Sequence, residues 1–195
     1  SWFVADPFEM GTGPFIPAYT GTGTTPGIRQ SGTGVGSTGG FATYPHMDFR
    51  GAGLGGQRVL FSKRFPKYAM SDIERIKMRV IQGSSSNGGE NCDSGDNLFI
   101  VWSDINGAFS SLPTSATSAT GDNHIQLVSG ASTLYHDWTL LTYTLSTDFT
   151  ATQKINFQKA IRIAFVATHT GSASSDFDHY GLTDIEFQTT NEQVA

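Results

Sequence analysis

Apolar and polar residues alternate over much of this chain. Ile76-Lys-Met-Arg-Val-Ile81, Asn97-Leu-Phe-Ile-Val-Trp102, Trp138-Thr-Leu-Leu-Thr-Tyr-Thr-Leu145, Ile161-Arg-Ile-Ala-Phe-Val-Ala167 and Tyr180-Gly-Leu-Thr-Asp-Ile-Glu-Phe187 follow a period of two, the period of a strand with one buried face. Val59–Phe61, Ile125–Val128 and Lys154–Phe157 read as further strands. Met70-Ser-Asp-Ile-Glu-Arg-Ile76 has the look of a helical turn, but Ile73, Ile76, Met78 and Val80 pass into period two, so a strand is expected over Ile73–Ile81. No segment forms a long amphipathic helix, and the connections leave no room for the crossover helices a parallel sheet requires. Eight or more strands at this spacing predict an all-β fold, a two-sheet antiparallel β-sandwich of the jelly-roll kind. Ile161, Ile163, Phe165, Leu182, Ile185 and Phe187 are expected in one inter-sheet core. Leu182 to Ile185 breaks strict alternation, which predicts a bulge or a turn before the last strand.

The chain's 195 residues read as one domain, 1–195, because composition does not break beyond the early third. That third is different. Residues 11–47 carry one formal charge, Arg29, among runs such as Gly21-Thr-Gly-Thr-Thr-Pro-Gly27 and Gly32-Thr-Gly-Val-Gly-Ser-Thr-Gly-Gly40, and such sequence builds no core alone. Phe15, Ile16, Tyr19, Ile28, Val35 and Phe41 supply apolar anchors. Residues 13–55 are therefore expected as a long Gly/Thr-rich loop or assembly segment, laid on the sandwich or on a neighbouring subunit.

Charge narrows the partners. Charged residues make up 15% of the chain, against about a quarter in ordinary domains. Net charge is −5, yet eight of the twelve basic residues fall between Arg50 and Arg79. A solvated strand face explains that cluster most simply, with a polyanion-binding patch as the alternative. The acidic balance and the lack of any recognition-helix, zinc-finger or aromatic nucleic-acid signature exclude nucleic acid as the expected partner. No apolar run reaches bilayer length, so membrane insertion is not expected. Cys92 is the one cysteine and makes no intrachain disulfide.

Several short motifs carry a resemblance. Asp6-Pro-Phe-Glu-Met-Gly-Thr12, Gly56-Gln-Arg-Val-Leu-Phe-Ser62, Asp96-Asn-Leu-Phe-Ile-Val-Trp-Ser103, the Trp138 strand and the closing Gly181-Leu-Thr-Asp-Ile-Glu-Phe187 occur in an order similar to that of MAM-type jelly-roll modules of the concanavalin-like class. The uncharged early segment resembles packing sequence of phage or viral surface structural proteins. The resemblance implies a jelly roll whose first and last strands are neighbours, bringing Glu9 close to Asp184. It also implies a structural calcium held by Asp6, Glu9 and Asp184, whose oxygens suit a hard cation.

Catalytic chemistry finds little support. Glycosidic hydrolysis needs two carboxyl groups across the bond, and the one alternating acidic pair on an expected strand, Asp184 with Glu186, fits a structural role equally well. No Gly-x-Ser-x-Gly elbow is present. Gly34-Val-Gly-Ser-Thr-Gly39 and Gly51-Ala-Gly-Leu-Gly-Gly56 match a dinucleotide fingerprint only through glycine density. The loop Glu90–Asn97 concentrates oxygens without EF-hand spacing. His46, His124, His136, His169 and His179 are scattered, without zinc spacing, and are expected on the surface or in loops. Sugar binding is easier to build, since an aromatic face stacks on a pyranose while amides and carboxylates take its hydroxyls. Candidates are Trp102, Tyr135, His136, Asp137 and Trp138, with Asn106, Asp122 and Asn123 as polar partners, although tryptophans in a sandwich more often fill its core. The expected function is a non-enzymatic surface recognition and assembly module, extracellular or on a virion, binding glycans or other protein subunits and open to homo-oligomer formation. The alternative is a polysaccharide lyase or hydrolase of the same fold class.

Overall fold

Twelve strands are present among the described residues. In the computed structural model, residues 2–4, 16–20, 27–29, 39–49, 58–88, 91–170 and 180–190 are described. The strands are β1 (Trp2–Val4), β2 (Ile16–Thr20), β3 (Gly27–Arg29), β4 (His46–Asp48), β5 (Arg58–Arg64), β6 (Ile73–Gln82), β7 (Leu98–Trp102), β8 (Thr120–Gly121), β9 (His124–Val128), β10 (Thr139–Thr144), β11 (Arg162–Thr168) and β12 (Tyr180–Thr189). A 3-10 turn, Gly39–Thr43, precedes β4, and two short helices, α1 (Leu145–Asp148) and α2 (Ala151–Lys159), lie between β10 and β11. The first sheet has the order β10-β6-β12-β4-β3, with β1 also on β12, and the second has the order β2-β5-β11-β7-β9-β8. Every pairing is antiparallel. The expected two-sheet jelly roll is what forms.

The closing strand organises the first sheet. One side of β12 pairs with β6, and the other takes β4 at Gly181–Leu182 and β1 at Glu186–Gln188. First and last strands are thus neighbours. Asp6 and Glu9 lie outside the described residues, and so does the distance between Glu9 and Asp184. The expected bulge falls between Thr183 and Glu186, where Asp184 takes a φ of 52°. The extra residue turns Leu182, Ile185 and Phe187 all into the core despite their uneven spacing.

Alternation works differently in β6 and β11. On β6, Ile76, Met78 and Val80 fill the core, while Lys77 and Arg79 point outward to Glu186 at 2.7 Å and Asp184 at 3.1 Å. On β11, Ile163, Phe165 and Ala167 enter the main core, and Ala164 and Val166 enter a second cluster with Leu60, Phe99 and Val101. Phe109 and Leu112 from the loop between β7 and β8 pack on that second cluster. A strand buried on both faces reads as a continuous apolar run. Ile161 departs from expectation: it precedes β11 and is only half-buried.

Lys154–Phe157 is helical, which corrects the strand expected there. Thr150 and Gln153 form a reciprocal capping box at the start of α2, with Gln153 N donating to Thr150 Oγ1 at 3.1 Å and Thr150 N to Gln153 Oε1 at 2.9 Å. Phe149, Gln153 and Phe157 recur at four-residue steps and are all buried. Local capping and this helical spacing outweigh the brief alternation of Ile155 and Phe157. Within residues 13–55, β2 and β3 form sheet edges and Phe41 is fully buried. Phe15, Val35 and the side chains of Ile16, Tyr19 and Ile28 lie outside what is described.

Candidate functional site

At one end of the sandwich the chain exposes apolar surface around a groove. β5 leads through Pro66 into the turn that precedes β6. There Tyr68 adopts a φ of 70°, a left-handed conformation that costs a non-glycine residue about 1 kcal/mol. Its carbonyl accepts from Ser71 N at 3.1 Å and Ser71 Oγ at 2.8 Å, which holds the turn. The ring itself is 70% exposed, with Lys67 Nζ 5.1 Å from its centre. Ile105 and Ile155, each 51% exposed, stand on neighbouring elements.

These side chains line two adjoining cavities of about 250 and 600 Å³ that share Tyr68, Ile105 and Lys159. Ser71 and Gln158 complete the smaller one, and Ser103, Asp104, Asn123 and Asn156 the larger. The walls are braced from behind. Asp104 Oδ1 accepts from Asn106 N at 2.8 Å and Ala108 N at 3.0 Å, closing the 104–108 loop, and Gly107 supplies its φ of 89°. Asn156 Nδ2 donates to Asn123 Oδ1 at 3.2 Å. Gln158 Nε2 caps the carbonyl of Ile73 at 3.0 Å, tying α2 to β6. An apolar floor with an aromatic ring and a rim of amides suits a pyranose, whose axial C–H face is apolar and whose edge is hydroxyl. Among the described residues lining the groove, Asp104 is the one carboxylate, whereas acid–base hydrolysis needs two.

The expected sugar ligands do not gather in one place. Asn106, Asp122 and Asn123 fall at the groove end, with Asn123 in its wall and Asn106 on the 104–108 loop. Trp102 is there too, but as a core residue 1% exposed, stacked on Phe149 at 5.2 Å with its indole N–H donating to Asp122 O at 3.1 Å. It offers no face to a ligand, which corrects its expected role. Tyr135, His136, Asp137 and Trp138 lie beyond the other end of β6, ten residues away, or about 30 Å at strand rise. There Gln82 N donates to Tyr135 O at 2.7 Å, and the Tyr135 ring packs against the main core. Asp137 is exposed. Trp138 is half-buried, donates to Gly40 O at 2.7 Å and meets Phe41, Tyr44 and His46 edge-on. Its ring covers Gly181, where a Cβ would stand 3.0 Å from it.

That far end is polar, with a separate cavity of about 280 Å³ whose lining includes Gln82, Asn91, Asp93, Thr133 and His136. Asp96, fully buried, accepts from Thr170 N at 2.7 Å and Thr170 Oγ1 at 2.9 Å on one oxygen and from Asp93 N at 2.6 Å on the other. Its carbonyl accepts from Tyr180 Oη at 2.5 Å. Burial, followed by the charge of Cys92, pushes the Tyr180 hydroxyl pKa well above its usual value. The oxygen-rich loop ending at Asn97 therefore serves backbone amides. His46 is buried on β4, which corrects its expected surface or loop placement, whereas His169 lies in the loop after β11, as expected, but is buried. Asp184 faces the guanidinium of Arg79, a poor setting for a cation, and Asp6 and Glu9 are outside the described residues. Tyr68 and Ile155 were not distinguishable as site residues by motif; the turn-forming Pro66 two positions before Tyr68 is the available signal.

No protein-family model matches this chain, and no curated protein matches it in sequence. Solved structures do share its architecture. The family 11 carbohydrate-binding module of a cellulosomal cellulase from Clostridium thermocellum is 10% identical over 100% of this chain and 98% of its own, with a TM-score of 0.54. A family 11 module from the same organism, in complex with a β-1,3-1,4-mixed-linked tetrasaccharide, is 12% identical over 98% of both chains, with a TM-score of 0.53. The glycoside hydrolase domain structure of Endo-D from Streptococcus pneumoniae aligns with 92% of this chain and 22% of its own, at 12% identity and a TM-score of 0.54. At such identities the likeness is one of fold.

Proposed function

We propose that this chain is a non-catalytic carbohydrate-binding module that holds a glycan in the groove beside Tyr68. The observation that carries the reading is the Tyr68 ring, 70% exposed on a left-handed backbone between two exposed isoleucines. The turn's hydrogen bonds account for the backbone conformation but not for a large ring placed in water, and ligand binding gives that ring a use. The amides of Asn123 and Asn156 and the ammonium of Lys159 supply directional partners for hydroxyls. The sandwiches sharing this fold include carbohydrate-binding modules, one of them with a bound tetrasaccharide, which supports the same reading. With one lining carboxylate, the groove suits retention of a sugar chain over cleavage of it. Such a module works outside the cell, carried on a cell or virion surface, and its partner there is polysaccharide.

Affinity electrophoresis of the chain through gels containing soluble polysaccharides, followed by titration calorimetry, tests this directly. Tyr68→Ala is expected to weaken the bound glycan by about tenfold or more, as loss of an aromatic contact does, with no fall in melting temperature. Unchanged affinity in Tyr68→Ala alongside lost affinity in Trp138→Ala would move the site to the opposite end.

A further inference from the structure

The basic residues of this chain divide by what they face. Lys77, Arg79 and Lys154 sit within 3.1 Å of Glu186, Asp184 and Glu74. Arg64, Lys67, Lys159 and Arg162 have no carboxylate at ion-pair distance among the described residues, and all four come to the groove end. Lys67 and Lys159 line the groove. Arg64 and Arg162 are direct cross-strand partners where β5 and β11 meet, and like charges placed opposite each other repel.

The arginine pair is attached to the groove wall through Gly107. Arg162 Nη1 donates to Gly107 O at 3.0 Å, and a Cβ on Gly107 would stand 2.8 Å from Arg64 Nη2. Gly107 belongs to the loop whose Asp104 and Ile105 line the larger cavity. Arg162 is held further by Ser62 Oγ at 3.3 Å and by the Phe109 ring, 4.6 Å from its guanidinium carbon. Burial, and then the Arg64 charge, lower its pKa. Against these four cations stand Asp104, whose Oδ1 already accepts two backbone N–H groups, and the exposed Asp122 and Asp72, the latter next to the groove-lining Ser71. In a chain of net charge −5, this is a local excess of positive charge beside an aromatic platform.

We infer that the groove takes an acidic glycan, a polysaccharide carrying carboxylate groups, with Tyr68 against a sugar ring, Lys67 and Lys159 facing its carboxylates, and the Arg64–Arg162 pair adding positive charge from beside the 104–108 loop. The inference rests on the reading of the groove as a glycan site and specifies its substrate class. A guanidinium presents a planar fork of N–H donors that matches a carboxylate, and the lysines add point charges along the chain. Single-stranded nucleic acid is disfavoured, since it is held by successive stacked bases and Tyr68 is the one aromatic among the described groove-lining residues.

The full chain is titrated calorimetrically with oligogalacturonate, the same oligosaccharide fully methyl-esterified, a neutral β-glucan oligosaccharide, a sulfated galactan and an oligothymidine. At low salt oligogalacturonate is expected to bind at least about tenfold more tightly than its ester, and the difference is expected to shrink at about 0.5 M salt, where charges are screened. Arg64→Gln, outside the groove lining, should reduce that preference about threefold or more while sparing the ester's affinity, and the double variant Lys67→Gln/Lys159→Gln should weaken binding of the acid by a larger factor than that of the ester. Equal binding of acid and ester, or tighter binding of the β-glucan, overturns the inference and leaves the glycan reading in place. Tighter binding of the sulfated galactan or the oligothymidine overturns it in favour of another partner. Failure of every saccharide to bind removes the glycan reading as well.

Discussion

The two ends of the sandwich use the same kinds of loop residue to opposite purpose. At the Gln82 end, Asp96, Asn97, Thr168 and Thr170 turn inward. Asn97 Oδ1 accepts from Gly130 N at 2.9 Å, Thr168 Oγ1 accepts from Asn97 N at 3.0 Å, and Tyr180 is buried among them. At the Ile73 end, Asp104 closes only its own loop, while Tyr68, Ile105 and Lys159 remain in water. Loop polarity therefore says little about function until it is known which groups the backbone has already claimed. An aspartate with three amide or hydroxyl donors is part of the fold, and the free surface of a sandwich is found where such donors are absent.

Phe165, at the centre of the core joining both ends, sets the scale: Phe165→Ala is expected to cost about 3–5 kcal/mol in urea unfolding. Next, Asp96→Ala should cost about 3 kcal/mol, because it leaves buried donors without a charged acceptor, while Asp104→Ala at the exposed end should cost about 1 kcal/mol or less. Equal losses for the two aspartates would break the contrast between the ends.

Alkaline pH reports on two tyrosines of the core, the fully buried Tyr180 and the partly buried Tyr143. Burial raises the Tyr143 pKa to about 12, with Tyr135 and then Asp148 adding to the effect, and Tyr180 is pushed in the same direction. A raised pKa means that the folded state holds the proton more tightly. This stability is complete below the unfolded pKa near 10 and is lost as pH climbs from there through the folded value, at about 1.4 kcal/mol for each tenfold difference in proton affinity between the folded and unfolded chain. Unfolding at pH 8 and pH 11 should show the decline, and Tyr143→Phe should lessen it; identical stability at both pH values would contradict the buried placement. Smallest of all, Tyr68→Gly should raise stability by up to about 1 kcal/mol through relief of the left-handed backbone, even as it removes the platform. A clear loss of stability would make Tyr68 a structural residue.

The strands were legible because one-sided burial imposes a period of two, and even the bulge at Asp184 showed as uneven spacing between Leu182 and Ile185. The helix at Ala151–Lys159 was not, since Ile155 and Phe157 alternate across two positions; the Thr150-x-x-Gln153 box is the signal that could have marked it. Of the candidate groove, only part was marked in the sequence. Asn106, Asp122 and Asn123 could be marked by polarity, and they do fall at the groove end. Trp102 could not be told from a platform residue without knowing the packing of Phe149 and Phe157 on it. Tyr68 carries no motif, because a positive φ at one turn residue depends on what the rest of the fold holds in place. Basic clustering between Arg50 and Arg79 was visible, but the pairing of Lys77 and Arg79 outward and the arrival of Lys159 and Arg162 from elsewhere required the topology.

The small apolar cluster behind the second sheet has a thermodynamic consequence. Phe109 and Leu112 lie on Leu60, Phe99, Val101, Ala164 and Val166, and they anchor the loop that begins with the groove residues Asp104 and Ile105. A wall immobilised in the free protein loses little further freedom when a ligand arrives, so more of the contact energy appears as affinity. Free and saturated forms should then superpose along this loop to within about 1 Å, and recognition would proceed by docking into a shape that already exists.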